Sequence, residues 1–462
     1  MREISCKLLV IGAGPGGYVC AIRAGQLGVD TVVVDPAPPG GTCLNVGCIP
    51  SKALIHAADE YHLLARRSAA PAMGISAGGA MLDFPALQAW KDGIVGHLTG
   101  GVTTLLRKAG VRLIRGTAQL RDGKTAGVDT PEGPVMIHAG ALVLATGSTP
   151  VELPALPFGG AVLSSTEALA LPAPPASLAV IGGGYIGLEL GTAFTKLGAR
   201  VTVIEAAPRI LPQYDAELTR PVARRLQALG VRVVTGARAG GLSETGALRI
   251  ATGDGAEDIA AEKILVTAGR HPRTQAAGIE GLRLEMAGPF LRIDDHCRTS
   301  MNGVYAIGDL TGEPMLAHRA MAQGEMVAGI VAGGPQRWDH RAIPAICFTD
   351  PEIVSSGLLP EAAAQAGHKV TTGLFPFAAN GRAMTGADED GFVRVVARAD
   401  THEILGIQAV GAGVSEMAGG FALALEMGAR LEDVAGTIHA HPTRAEALHE
   451  ACLRALGHAL HI

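Results

Sequence analysis

The sequence predicts an α/β protein of two doubly wound parallel-sheet domains followed by a smaller C-terminal α+β domain. Two observations carry this. First, the chain repeats itself at an offset of 170 residues: "VIGAGPGG" at 10–17 returns as "VIGGGYIG" at 180–187, and "QLG" at 26–28 returns as "KLG" at 196–198. "TVVVD", ending at Asp35, likewise returns as "TVIE", ending at Glu205. Second, the texture changes after about residue 340, where "AICFTDPEIVSSG", "FVRVVARADTHEILGIQAVG" and a final amphipathic stretch read as a separate set of strands and helices. A length of 462 residues suits two to four domains. The expected spans are 1–149 for the first domain, 150–272 for the second, 273–340 for a return to the first, and 341–462 for the last.

Each copy of the repeat reads as an apolar strand, G-x-G-x-x-G, a helical stretch, and a second strand ending in an acid 18 residues past the last glycine. This is the Rossmann-like dinucleotide-binding fingerprint, and each part has a physical task. Gly12 and Gly182 make the tight turn. Gly14 and Gly184 let the backbone approach a pyrophosphate, and Gly17 and Gly187 let the helix pack close to the strand. The helix N-terminus offers free N–H groups to phosphate. Asp35 and Glu205 are placed to accept bonds from a ribose. Two dinucleotides are therefore expected. Glu205 puts negative charge where a 2′-phosphate would sit, which favours NAD over NADP in the second site, and Arg209 is expected to pair with Asp215. The strands "ALVLATGS" at 141–148 and "KILVTAGRHP" at 263–272 close on glycine, as strand ends of nucleotide domains do.

Composition excludes other classes. Apolar residues make up 48% and charged residues 18%, ample for large cores. A net charge of −5 with 3% aromatics lacks the basic stripe and stacking rings of a nucleic-acid binder. The longest apolar stretches are interrupted by glycine too soon to span a bilayer. The chain runs from Met1 into "KLLVIGAGPGG" without a leader pattern, so a cytoplasmic protein is expected. Seven cysteines, odd in number and thinly spread, are no secreted disulfide framework. Cys6 and Cys20 fall in apolar runs and read as inert thiols.

Cys43 and Cys48 alone form a close pair, inside "GGTCLNVGCIPSK" at 40–52. A structural zinc site wants a second ligand pair at similar spacing, and none is near, so no metal is expected. A disulfide between residues five apart needs a helix bent or unwound, which Gly47 permits. So small a loop is a poor staple but suits a bond that is made and broken, so redox chemistry is the favoured reading. Thiol exchange needs a base. Among fifteen histidines, "TIHAHPTRAEALHEA" at 437–451 offers His441, with Pro442 expected to open a helix and Glu446 placed to orient the ring.

Together, the cysteine loop, the two fingerprints, "AIGD" at 306–309 and "HAHPT" at 439–443 resemble the flavin-dependent pyridine nucleotide–disulfide oxidoreductases over essentially the whole chain. Within that family the sequence is most similar to the dihydrolipoamide dehydrogenases, particularly the bacterial form serving the branched-chain 2-oxo acid complex. The resemblance implies FAD in the first fold, held by Gly12, Gly14, Gly17 and Asp35 and lined further by Gly41, Thr42, Ala118, Gly147, Ser148, Asp309 and Ala317. It implies NAD in the second, at Gly182, Gly184, Gly187, Glu205 and Gly269, with Tyr185 as a flap over the flavin. Lys52 would sit by the flavin and pair with Glu189. Cys48 would face the flavin and Cys43 the substrate. His441 and Glu446 would come from the partner subunit of a homodimer, with 341–462 as the interface domain. The implied reaction oxidises dihydrolipoamide on the acyltransferase of a 2-oxo acid dehydrogenase complex and reduces NAD+. Arg444 departs from the apolar or small residue usual after "HPT".

Two other classes share parts of this pattern. A glutathione-reductase-like enzyme would use NADPH and show arginines past the second strand, where this chain has Glu205. A non-catalytic flavoprotein redox sensor would have lost Cys43, Cys48 or His441, and all three are present.

Overall fold

Gly12 and Gly182 carry the same backbone angle, φ +104°, so the two halves of the repeat turn from strand to helix in the same way. In a computed structural model, residues 2–69, 73–76, 78–253 and 255–462 are described; Met1, where the expected first span and the leader argument begin, lies outside them. The first sheet is built from β1 (Arg2–Ile11), β2 (Thr31–Asp35), β3 (Arg112–Arg115), β4 (Thr117–Leu120), β5 (Thr125–Thr130) and β6 (Gly133–Leu144). Their spatial order is β3-β2-β1-β6-β5-β4, and strand Val304–Ala306 joins parallel to β6. The β1, β2, β3 and β6 neighbours run parallel, and their apolar runs are buried on both faces (Leu8, Leu9, Val10, Val32, Val33). The sheet is not wholly parallel: β4 and β5 pair antiparallel onto β6 as a meander.

The second sheet has the order 232–235, 200–205, 177–181, 263–266, 162–163, every pair parallel. The third, drawn from 345–411, is antiparallel throughout. Helix Glu446–Ala455 lies on it so closely that a Cβ on Gly373 would stand 2.0 Å from the Ala451 carbonyl oxygen. No helix among the described residues is long and apolar enough to cross a membrane.

Three helices place the chemistry. α1 (Pro15–Gln26) follows the first fingerprint and starts with proline, whose fixed φ and missing N–H suit a first helical position. α2 (Gly41–Val46) ends at Gly47, and α3 (Cys48–Ala69) starts at the next residue. The backbone of Gly47 (φ −139°, ψ −108°) breaks what would otherwise be one helix, between the two cysteines. A side chain there would meet the Thr42 carbonyl oxygen at 2.8 Å.

The third sheet is fastened to the second nucleotide fold by Arg394, which is 5% exposed. Its guanidinium bonds Gln408 Oε1 and Glu217 Oε2, each at 2.9 Å, and also Asp215. This overturns the expected Arg209–Asp215 pair. Asp215 caps helix Ala216–Ala228 through the Leu218 N–H and is held by Arg394, while Arg209 turns back onto the carbonyls of Pro212 and Tyr214.

Candidate active site

A cavity of about 460 Å³ opens beneath the first fingerprint. Its walls include Gly12, Gly14, Asp35, Gly41, Thr42, Ala118, Gly147, Ser148, Asp309 and Ala317, with Cys43, Cys48, Lys52, Tyr185 and Glu189 at the end formed by α2, α3 and helix Tyr185–Lys196. Gly14 and Gly41 face each other so closely that a Cβ on Gly41 would meet the Gly14 Cα at 2.6 Å. That leaves bare backbone and the α1 N-terminus toward the cavity, a cradle that suits a phosphate. Gly17 lies outside it: its Cβ would meet the Gly12 carbonyl oxygen at 1.9 Å, so it serves the contact between turn and helix.

Asp35 is held ready at the rim, accepting from the N–H groups of Ala13 at 2.7 Å and Ala37 at 2.8 Å. Glu205 repeats this geometry in the second fold, accepting from Gly183 and Ala207, both at 2.6 Å. There Gly184 has open space where a side chain would point, whereas Gly187 packs against Gly182 and Thr267. Gly182, Gly184, Gly187, Glu205 and Gly269 all lie outside the first cavity.

The two cysteines, both free thiols here, are chemically unlike. The Cys43 thiol donates to the Cys48 sulfur, and Lys52 adds positive charge; against the opposing effect of burial, these bring Cys48 down to about 7. The same contact, with burial and the adjacent charge, pushes Cys43 up. Of the two sulfurs, Cys48 is the one whose thiolate is favoured. One turn along α3, Lys52 Nζ lies 2.7 Å from Glu189 Oε2, and Glu189 is 3% exposed. Tyr185, at the start of the same helix as Glu189, is held up by burial first and then by the Glu189 charge.

Polar groups outside the expected set brace the cavity wall. Arg270 Nε donates to Ser148 Oγ at 2.7 Å, and that hydroxyl donates to Asp309 Oδ2 at 2.5 Å. Gln323, 3% exposed, accepts the Gly308 N–H at 2.7 Å and fixes the turn before Asp309. The Phe348 N–H donates to Glu189 Oε1 at 2.9 Å. Arg270 stood in the quoted "TAGRHP", but no spacing rule ties it to Ser148, 122 residues away.

His441 Nδ1 lies 2.8 Å from Glu446 Oε1, as the pairing predicts. Glu446 Oε2 accepts the Thr443 N–H at 2.7 Å. Burial alone would raise this carboxyl, but that N–H and His441 outweigh it and hold it below the usual range. The helix does not open at Pro442: it begins at Glu446, and His441 sits on the loop before it. Within one chain His441 does not reach the dithiol; it lines a second cavity with His439 and His449, and its side chain is 79% exposed. Arg444 anchors this loop, lying over the Phe377 ring at 5.6 Å and donating to the Asp388 carbonyl at 3.3 Å.

Two unlike thiols lining a glycine-walled cradle that suits phosphate are the setting for electron transfer between thiols and a dinucleotide. Comparison with known proteins agrees, and the chain belongs to the pyridine nucleotide-disulphide oxidoreductases, matching that family over residues 6–324 and its dimerisation domain over 343–452. It is 57% identical over 461 residues to the dihydrolipoyl dehydrogenase of Pseudomonas aeruginosa, covering 99% of each chain. It is 43% identical to the dihydrolipoyl dehydrogenase of Geobacillus stearothermophilus, covering 99% of this chain and 98% of that one. Among solved structures it resembles LpdA of Mycobacterium tuberculosis, with a TM-score of 0.88, 28% identity, and coverage of 97% of this chain and 99% of that one.

Proposed function

We propose that this protein is a dihydrolipoyl dehydrogenase: it oxidises dihydrolipoamide to lipoamide and reduces NAD+ to NADH. The observation that carries the reading is the Cys43–Cys48 pair lining the nucleotide cradle with Lys52 and Glu189, supported by 57% identity to a dihydrolipoyl dehydrogenase. The cofactors are FAD in the first fold and NAD in the second. FAD, when bound, supplies the two-electron carrier between the cysteines and NAD+. The cradle of Gly12, Gly14 and Gly41, with Asp35 at its rim, fits the ADP half of such a group.

In the oxidised protein Cys43 and Cys48 share a disulfide. His441, oriented by Glu446, takes the proton from one substrate thiol. The resulting thiolate attacks the Cys43 sulfur, the Cys43–Cys48 bond breaks, and Cys48 leaves as a thiolate, which the Lys52 charge favours. The second substrate thiol attacks the substrate sulfur of the mixed disulfide, its proton passes to the departing Cys43 sulfur while His441 keeps the first, and the cyclic disulfide product is released. Cys43 is left as a thiol, so the substrate is oxidised by two electrons and the protein reduced by two. Glu189 holds Lys52 in place.

The domain reading follows the same plan: 1–149 with 273–340 for FAD, 150–272 for NAD, and 341–462 for dimerisation. Since His441 stands apart from its own chain's dithiol, a homodimer would join each dithiol to the partner's base. The substrate is carried on the acyltransferase of a 2-oxo acid dehydrogenase complex, and the compartment is the cytoplasm, where ordinary thiols stay reduced. The test is direct: purified yellow protein is given dihydrolipoamide and NAD+ and NADH is followed. NADPH-dependent reduction of another disulfide, with no NADH from dihydrolipoamide, overturns the reading.

A further inference from the structure

Helices α3 and Tyr185–Lys196 are joined by two ion pairs of opposite polarity at one offset: Lys52–Glu189 and Asp59–Lys196 each link residues 137 apart. Within each helix the two charges are seven residues apart, two turns, and so share a face. One short segment, from the edge of the third sheet, reaches both pairs. Phe348 donates its N–H to Glu189 Oε1 at 2.9 Å, and its ring centre lies 4.5 Å from Lys52 Nζ. Two residues on, Asp350 Oδ2 lies 2.7 Å from Lys196 Nζ and 2.8 Å from Arg225 Nε.

The segment is itself fixed. Strand Ala345–Cys347 pairs with strand Glu352–Gly357, Cys347 is buried with its sulfur 3.4 Å from Tyr214 Oη, and Thr349 Oγ1 donates to the Pro351 carbonyl at 2.8 Å. Phe348 is half-buried and belongs to none of the apolar clusters among the described residues. Its ring therefore faces the ammonium rather than filling a core. A lysine stem has many rotamers, and one carboxylate fixes the charge in one direction only. A ring face adds the second restraint, because its quadrupole attracts the cation.

We propose that Phe348 is a positioning residue for the thiol chemistry: its N–H on Glu189 and its ring against the Lys52 ammonium hold that charge beside Cys48. The inference rests on the reading of Cys48 as the flavin-side thiol. Through Phe348 the dimerisation domain sets the electrostatics of a site built on the nucleotide folds.

The charged and titratable groups facing Cys48 are Cys43, Lys52, Glu189 and Tyr185. Of these, Lys52 favours the thiolate, so a less well-held ammonium moves the Cys48 midpoint upward. The test uses the FAD-loaded holoenzyme, reduced by two electrons without oxygen. The long-wavelength thiolate-to-flavin absorption is followed against pH in the wild type, Phe348→Leu, Phe348→Tyr and Lys52→Met. Phe348→Leu keeps the N–H to Glu189 and loses only the ring. The expected result is a midpoint raised by about half a pH unit, roughly threefold in proton affinity, with the wild-type value regained in Phe348→Tyr. Phe348→Met repeats the measurement if the leucine variant does not fold, judged by flavin content. An unchanged midpoint in Phe348→Leu, with Lys52→Met shifted, overturns this proposal and leaves the site reading standing. A wild type with no such absorption at any pH removes the site reading and this inference with it.

Discussion

His441 shares a 2.8 Å hydrogen bond with Glu446, yet the two side chains line a cavity other than the one that holds the dithiol of their own chain. The imidazole is oriented but, within one chain, does not line the cavity of the two cysteines. His441→Gln is expected to slow dihydrolipoamide turnover by about 10²–10⁴-fold while the flavin spectrum stays intact. Near-full activity in that variant would mean another base.

The same separation predicts complementation between two dead chains. Cys43→Ser and His441→Gln homodimers are each inactive, but a mixed dimer has one site with Cys43 and His441 both intact. After subunit exchange about half the dimers are mixed and half of their sites work, so about a quarter of wild-type activity is expected. No recovery after exchange verified by mass spectrometry would place the whole site within one chain.

The two sulfurs should also separate chemically. With Cys48 brought down to about 7 and Cys43 pushed up, iodoacetamide labelling of the reduced, flavin-stripped protein should rise at Cys48 with a midpoint near pH 7. The sign follows from the reactive species: the thiolate dominates above its midpoint and is lost as pH falls below it. Labelling at Cys43 should lag until a more alkaline pH. Equal pH profiles from peptide mass spectrometry would rule out the asymmetry.

Coenzyme choice should turn on Glu205, whose two oxygens occupy the Gly183 and Ala207 N–H groups at the end of its strand. Replacing it with serine removes the charge that repels a 2′-phosphate and leaves a hydroxyl near those donors. The NAD over NADP ratio in kcat/KM is expected to fall at least about tenfold, chiefly through KM. An unchanged ratio would show that another group sets the preference.

Stability between the second fold and the third sheet should depend on Arg394, which is 5% exposed and holds Asp215, Glu217 and Gln408. Arg394→Met leaves a buried amide and two carboxylates short of a partner. The expected cost is about 2 kcal/mol, below the range for fully buried pairs because both carboxylates reach solvent. Denaturant unfolding measures it, and a change within error would show that water replaces the guanidinium without loss.

Much of this was legible in the chain. The repeat marked both strand–turn–helix units, because a tight turn and a close helix contact each demand glycine at a fixed place. Gly47 was legible as the break between the cysteines, since a side chain there would strike Thr42. The His441–Glu446 bond needed only a local loop. Misread features were those with competing partners: Arg209 lost Asp215 to Arg394, a residue 179 positions from that aspartate. Pro442 did not open the helix, because Glu446 folds back on the Thr443 N–H and starts it instead.

The sequence by itself determined the two strand–turn–helix units, the Cys43–Cys48 spacing and the His441–Glu446 pairing, since each rests on short-range geometry that spacing records. Tertiary structure decided what surrounds them. The Arg270–Ser148–Asp309 chain and the hold of Phe348 on Lys52 and Glu189 join residues over a hundred positions apart. Such contacts leave no periodicity to read, because burial and packing bring the partners together only after the sheets have formed.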